Sequence, residues 1–401
     1  MNKSTILKPR STTDIHIAEA GNGQLFLTAS PSGFSPAEAD VYTQIAAVLR
    51  ERGAEIVHER IFGSLDAEAE VMAARKHALE TQDISSEGPV TYIEGASPDG
   101  VGFTGVIIRA IVPARAEDVW TILDKGLPCG RGWRRNWAEF IVLQNMQFFA
   151  HPHLTSPIKG EESKKYSPAV QAQQVIERAE RILREQGASY RDVVRTWFYL
   201  SDILDWYSAF NEVRNSKYSE FGIMPPFSDG ELLLPASTGV GGRSPQKSAA
   251  TMDLMAITGP ADSRPFVKQL SNAGQLDAFC YGSAFSRGVL IRESDVTTIQ
   301  ISGTAAIDAQ GRSLYHGDAR SQIEYTLDQV EALLCREGAG LKDIAAATVF
   351  VERPEHAELF REIIAARGLI RFPAVCVVAD ICRAELLFEM DAEVVMENGK
   401  D

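Results

Sequence analysis

The sequence predicts an α+β fold of two tandem units, each a mixed β-sheet with helices packed on one face. Three observations predict it. Residues 181–200 (RILREQGASYRDVVRTWFYL) align without a gap on residues 332–351 (ALLCREGAGLKDIAAATVFV). That register pairs Gly187 with Gly338, Asp192 with Asp343, Val193 with Ile344 and Tyr199 with Phe350. Both copies read as a helix, a short G-x-x-x-x-D turn, a strand and a second helix, the order of a ββαβα-type unit. A repeat this long is an internal duplication; solenoid repeats have much shorter periods.

The elements follow in order. After a polar start, residues 37–80 read as helical, with Val41, Ile45, Val48 and Leu49 at helical spacing. Strands are expected at 90–94 and 106–112, and a helix at 116–124 after Pro113. The stretch GLPCGRGWRRN at 126–136 reads as a Gly/Arg-rich loop leading into a strand at 140–145. Residues 151–168 read as loop. Residues 169–186 make an amphipathic helix, with Val170, Val175, Ile176, Ala179, Ile182 and Leu183 on one face. A strand at 193–200 and a helix at 204–220 follow. Residues 225–290 are rich in small residues, and several turns there need glycine. The second copy then predicts a strand at 299–308, a helix at 319–337, a strand at 344–351, a helix at 354–366, and strands at 374–379 and 385–395. The expected division is an N-terminal, partly helical extension (1–89), a first unit (90–233) and a second unit (234–401).

Composition excludes several classes of function. The 401 residues carry 40 basic and 54 acidic side chains, a net charge of −14, against binding to nucleic acid or an acidic membrane. Five cysteines without a CxxC pair argue against a disulfide scaffold or a zinc ribbon. The first residues hold no apolar core of a signal peptide, and no stretch approaches 18 apolar residues, so a cytoplasmic protein is expected. The histidines, among them His151, His153, His316 and His356, lack carboxylate partners at metal spacing, so no metal is expected. There is no GxSxG motif for serine hydrolysis and no Gly-Lys-Ser/Thr phosphate loop.

The second copy resembles the Rid/YjgF family of small α+β proteins, in ISGTAAID (301–308), HGDARSQIEYTLDQVEALLCREG (316–338), DIAAATVFV (343–351), RFPAV (371–375) and LLFEMDAEVV (386–395). That family acts on reactive imines or enamines, with an arginine after "PA" and a glutamate in the last strand. This chain has Val375 at the arginine position and keeps Glu389, which counts against a simple imine deaminase. The whole chain is more similar to the chorismatases, which are built on two Rid-like units. The resembling stretches are GLPCGRGWRRNWAEFIVLQN (126–145), TWFYLSDILDWYSAFNEVRN (196–215), LPASTGVGGRSP (234–245), YGSAFSRG (281–288) and ADICRAELLFEMD (379–391). The resemblance implies hydrolysis of chorismate with release of pyruvate, without a cofactor. One subgroup gives a cyclohexadiene diol acid and another 3-hydroxybenzoate. A cysteine in the last strand pair goes with the second, and Cys382 stands there. The resemblance leaves two rivals: a Rid-type deaminase and a non-catalytic small-molecule binding protein. Single Rid units commonly form trimers with pockets between subunits. A chain with two units could close its pocket internally, so a monomer is favoured over a homotrimer.

The implied chemistry names the candidate residues. Cleaving a vinyl ether begins with a proton on its terminal carbon, which needs an acid still protonated near pH 7. Glu389 is the candidate: in a strand it shares a face with Leu387 and Asp391, opposite Phe388 and Met390. From pattern alone it also fits an exposed strand glutamate with no role. Two substrate carboxylates call for arginine forks, and Arg131, Arg134, Arg135 and Arg287 are the candidates. A solvated basic loop is the alternative for the first three, which cannot all face one small ligand. Ser237 and Thr238 offer hydroxyls, and Gly239, Gly241 and Gly242 offer backbone N–H groups, unless this stretch is a linker. Ser283 and Tyr207 complete the binding candidates, with Tyr199 divided between core and site. Cys382 is the second catalytic candidate, or else a small buried hydrophobe.

Overall fold

A computed structural model describes residues 13–31, 38–100, 102–148, 166–226, 232–272, 274–275 and 278–399. The expected loop at 151–168, with His151 and His153, lies almost wholly outside the described residues.

Three sheets organise the chain. The first holds β1 (Thr13–Glu19), β2 (Gln24–Pro31), β3 (Glu55–Gly63), β4 (Thr91–Glu94) and β5 (Phe103–Ile111), in the order β1-β2-β5-β3-β4. Its helices are α1 (Glu38–Arg52) and α2 (Glu68–Thr81). The second holds β6 (Val119–Asp124), β7 (Leu127–Arg135), β8 (Ala138–Met146), β9 (Val193–Leu200), β10 (Ala236–Gly241) and β11 (Ala250–Thr258), with α3 (Pro168–Glu185) and α4 (Ile203–Glu220). The third holds β12 (Phe266–Leu270), β13 (Gly288–Arg292), β14 (Val296–Ala305), β15 (Ile344–Val351), β16 (Ala374–Val378) and β17 (Phe388–Glu397), with α5 (Ala319–Cys335) and α6 (Pro354–Ala366).

The second and third sheets share one strand order: β6-β7-β8-β11-β9-β10 matches β12-β13-β14-β17-β15-β16. These are the two repeated units. The first sheet has the same order without the outermost strand. The stretch expected as an extension, 1–89, therefore supplies most of a third sheet, which runs on to Ile111. The strands expected at 90–94 and 106–112 belong to that sheet and not to the next unit. Its sequence has drifted beyond visible repetition, while its strand order has not.

Local sequence accounts for the elements. Ser167 caps α3 by accepting from the Val170 N–H, Pro168 fits the first turn, and Gly187 (φ 74°) follows the C-terminus. Of the predicted face of α3, Val175, Ile176, Ala179, Ile182 and Leu183 are buried, while Val170, in the first turn, is 37% exposed. Three expectations fail, each for a local reason. The helical run 37–80 is cut by β3, because Gly53 (φ 62°) ends α1. The helix expected at 116–124 is a short 3-10 turn followed by β6, whose VWTILD is β-branched and aromatic. The Gly/Arg loop at 126–136 is the strand β7, entered through a two-residue turn at Lys125 and Gly126, both with positive φ. Its glycines serve close approach: a Cβ on Gly132 would overlap the Trp120 ring, and one on Gly130 the Val142 carbonyl.

Each sheet buries one face under its helices, in a separate apolar cluster. The other faces meet one another. Phe62, Tyr199 and Phe350, one from each sheet, pack together, with ring centroids 6.1 Å apart for Phe62–Tyr199 and 6.3 Å for Phe62–Phe350. Around them lies a buried charged seam. Arg60 of the first sheet and Arg195 of the second both approach Asp391 of the third, at 3.9 and 3.1 Å. Both guanidiniums also lie over the Trp197 ring.

Candidate active site

The site lies where the third sheet meets the second. β17 sets Glu389 opposite Phe350 of β15 and Ala305 of β14. A register shift in β14 between Ile301 and Thr304 opens the space beside it. Gly303 occupies that shift, and a Cβ there would overlap the Glu389 carboxyl. The second sheet closes the opposite wall with β10 and α4. The Ser237 N–H donates to Ser302 Oγ at 2.9 Å, and Ser302 donates in turn to the Ser286 carbonyl. These bonds hold β10 against the third sheet.

The pocket so formed is lined by Glu389, Arg287, Arg214, Tyr207, Ser237, Gly239, Ser283, Phe285, Gly303, Ala305, Ile307, Cys382 and Arg383. Glu389 is 4% exposed, so it is not an exposed strand residue. Burial and the nearby Asp391 push its carboxyl up to about 8, against the opposing pull of Arg195 and Arg287. Near neutral pH it therefore holds its proton. The two faces of β17 separate as the alternation predicts: Phe388 and Met390 enter the helix-side core, and Asp391 joins Arg195 on the inner side.

Two buried arginines face the pocket. Arg287 lies over the Phe285 ring at 5.6 Å. Arg214, on α4, donates to Asn211 Oδ1 at 2.6 Å and to Ser237 Oγ at 3.4 Å, and its guanidinium lies between the Phe210 and Phe285 rings. Its Nε is buried without a partner. Such a fork has donors left for a ligand carboxylate. Burial and Glu389 push the Cys382 thiol up to about 12, with Arg383 and a hydrogen bond from Tyr207 opposing. A free thiol titrates near 8.5; in place this one stays protonated at neutral pH. The Tyr207 ring packs beside Gly239, where a Cβ would stand 3.5 Å from it.

Of the candidates, the structure brings together Glu389, Cys382, Arg287, Tyr207, Ser237, Gly239 and Ser283. Others do not reach the pocket. Arg131, Arg134 and Arg135 lie on β7 and are engaged by Glu55 at 3.8 Å, Glu139 at 2.6 Å and Glu293 at 2.8 Å. Thr238 points away, donating to Asp391 at 2.8 Å. Gly241 presses against Asp380, and its N–H is used by the Asp380 carbonyl. The Gly242 N–H is used by the Leu200 carbonyl, because ASTGVG is a strand paired with β9 and not a linker. Tyr199 belongs to the three-sheet core. Sequence reasoning missed Arg214, Gly303, Phe285 and Arg383. The signal for Arg214 was present: it follows Tyr207 by two helical turns, on the same face of α4.

Among the described residues, no group of three His, Cys, Asp or Glu side chains is placed to hold a metal ion. Among the same described residues, no helix is long and apolar enough to cross a membrane.

Comparison with known proteins agrees with this architecture. The family model for endoribonuclease L-PSP matches residues 141–228, which hold most of β8 with α3, β9 and α4, and residues 283–396, which hold the third sheet from β13 onward. A chorismatase from Streptomyces hygroscopicus is 25% identical over 362 residues, covering 83% of this chain and 92% of that protein. A chorismatase crystal structure superposes with a TM-score of 0.57 at 21% identity, covering 85% of this chain and 93% of the other. The chain belongs to the endoribonuclease L-PSP family, the Rid/YjgF group, and has the chorismatase form of its fold.

Proposed function

We propose that the protein cleaves chorismate, releasing pyruvate from the enolpyruvyl ether and leaving 3-hydroxybenzoate as the ring product. One observation carries the reading: a buried carboxyl that keeps its proton to about pH 8 lies in a pocket with two buried arginines. Vinyl ether cleavage requires that acid, and a substrate with two carboxylates requires those cations.

In this mechanism Arg214 and Arg287 hold the carboxylates, with Ser237, Ser283 and Tyr207 beside them. Glu389 delivers its proton to the terminal methylene of the enolpyruvyl group. The cation that forms on the ether carbon lies close to the new Glu389 carboxylate. Hydration of that carbon would free pyruvate and leave the diol acid. Displacement at the ring by the neighbouring hydroxyl, which gives its proton to the Glu389 carboxylate, breaks the ring C–O bond, frees pyruvate and leaves an epoxide-like species with no net uptake of water. In the second route the ring opens the epoxide, loses a proton and becomes aromatic. Cys382, next to Tyr207 and Glu389, shapes that last step as a protonated thiol. It does not act by giving up its proton, since its environment disfavours the thiolate.

A Rid-type deaminase is disfavoured by Val375, which is fully buried in the three-sheet core and leaves no cation there. The deciding experiment is incubation with chorismate and enzymatic detection of pyruvate, with chromatography of the ring products. Absence of pyruvate would overturn the reading. Pyruvate with only the diol acid would overturn the 3-hydroxybenzoate assignment alone.

A further inference from the structure

The three like sheets create more than one inter-sheet cleft, and one of them is the positional counterpart of the candidate active site. The counterparts follow from pairing register. Phe350 pairs with Glu389, Tyr199 with Thr251, and Phe62 with Gly105. Gly105 of β5 therefore stands where Glu389 stands in β17. Across the cleft, Ser237 pairs with Thr196 and Gly239 with Phe198. Their counterparts are Ala374, paired with Ala347, and Cys376, paired with Val349. Ala374 and Cys376 line a cleft of about 420 Å³ between the first and third sheets, together with Thr28 and Ser30 of β2. Helix α6, the counterpart of α4, adds Arg361 and Ile364.

This cleft is chemically unlike the first. No acid can stand at Gly105, because a Cβ there would meet the Ala29 carbonyl at 2.7 Å and Ser30 Oγ at 2.8 Å. What remains suits binding. Thr28 is 1% exposed, and its hydroxyl is buried without a hydrogen-bond partner on the cleft wall. Arg361 lies 3.5 Å from Asp99, a separation that a ligand carboxylate can replace. Arg371 stands at the rim, beside Ile370, which is 80% exposed. Two cations, an orphan hydroxyl and an apolar wall match a small carboxylate on a ring. We propose that this cleft is a second, non-catalytic site for small ring carboxylates, which it binds without turning over.

The test uses benzoate as probe and the isoleucine methyl NMR signals of Ile364 and Ile370 in the full chain as readout. Benzoate is expected to move both signals in a saturable manner. The Arg361→Ala/Arg371→Ala double variant is expected to weaken that titration at least ten-fold while releasing pyruvate from chorismate at the wild-type rate. Thr28→Val, which removes only the hydroxyl, is expected to weaken it in a chain of unchanged melting temperature. Methyl signals that do not move would overturn the proposal, as would equal affinity in wild type and both variants. The binding readout needs no turnover, so its failure is distinct from failure of the chorismatase reading.

Discussion

In the proposed reaction Glu389 is the acid, and its proton sets two predictions. Glu389→Gln keeps the shape and loses the acid. It is expected to lower kcat for pyruvate release by about 10²- to 10⁴-fold, the usual contribution of general acid catalysis. A folded variant that retains more than about a tenth of wild-type kcat would exclude the role. The pH dependence has a definite sign. The carboxyl is raised to about 8 in the folded protein, and the active form is the protonated one, so activity should fall as pH rises through that value. The same shift acts on stability. The folded state holds a proton that the unfolded chain releases above its ordinary pKa. The stability present at acid pH is thus progressively lost from about pH 4.5 to about pH 8. Glu389→Gln should accordingly raise the melting temperature relative to wild type at pH 8 and not at pH 4. Cys382 divides the chemistry differently. In the proposed mechanism its protonated thiol acts by packing and by donating a weak hydrogen bond, after pyruvate has left. Cys382→Ala and Cys382→Val should still release pyruvate, with less 3-hydroxybenzoate and more diol acid per pyruvate on chromatography. An unchanged product ratio in both would make Cys382 a structural residue; loss of pyruvate release would place it before the branch.

At the scale of elements, β10, α4 and β17 make the site, and they were legible to different degrees. The repeat exposed β9 and β15, and alternation in LLFEMDA put Glu389 and Asp391 on one face of β17. The strand β7 was read as a loop because glycine ordinarily weakens strands, yet Gly130 and Gly132 are there for a carbonyl and an indole that approach the backbone. That error carried Arg131, Arg134 and Arg135 with it. A loop could have presented them to a ligand; a strand packed beside Glu55, Glu139 and Glu293 pairs them within the protein. Arg214 was missed because a helix seen alone does not reveal which neighbour its polar residues face. Arg214→Ala and Arg287→Ala should each raise KM for chorismate about 10- to 100-fold, the cost of a charged hydrogen bond in a buried site. Lysine should restore little, since the planar fork is lost. Arg134→Ala, on an exposed pair, should leave KM unchanged. Equal effects from Arg134 and Arg214 would contradict the assignment of the pocket.

The whole molecule places three sheets of one strand order around a shared centre, and strand order, not sequence, reveals the first of them as kin. A single Rid-like sheet has an inner face that another copy must cover. Here the second and third sheets cover each other, and the first closes the ring. Its Phe62 packs on Tyr199 and Phe350, and its Arg60 reaches Asp391 and Glu393 at 3.9 Å each. Truncating Phe62, fully buried at this junction, should cost about 3–5 kcal/mol of stability in denaturant unfolding, the usual range for a core phenylalanine. The same closure leads us to expect a monomer. A homotrimer of single units exists to bury inner faces and to build pockets from two subunits. In this chain those faces are buried already, and the Glu389 pocket draws both its walls from one polypeptide. Among the described residues, the most exposed large apolar side chains are scattered over the chain: Leu123 on β6, Trp137 in the turn before β8, Phe266 beside Val267 on β12, and Ile370 after α6. We therefore expect light scattering after size-exclusion chromatography to give the mass of one chain, 43.9 kDa. Pyruvate release per chain should not change on dilution, because no second copy completes the site. A trimeric mass, or specific activity that falls on dilution, would show that the inner faces do not account for assembly.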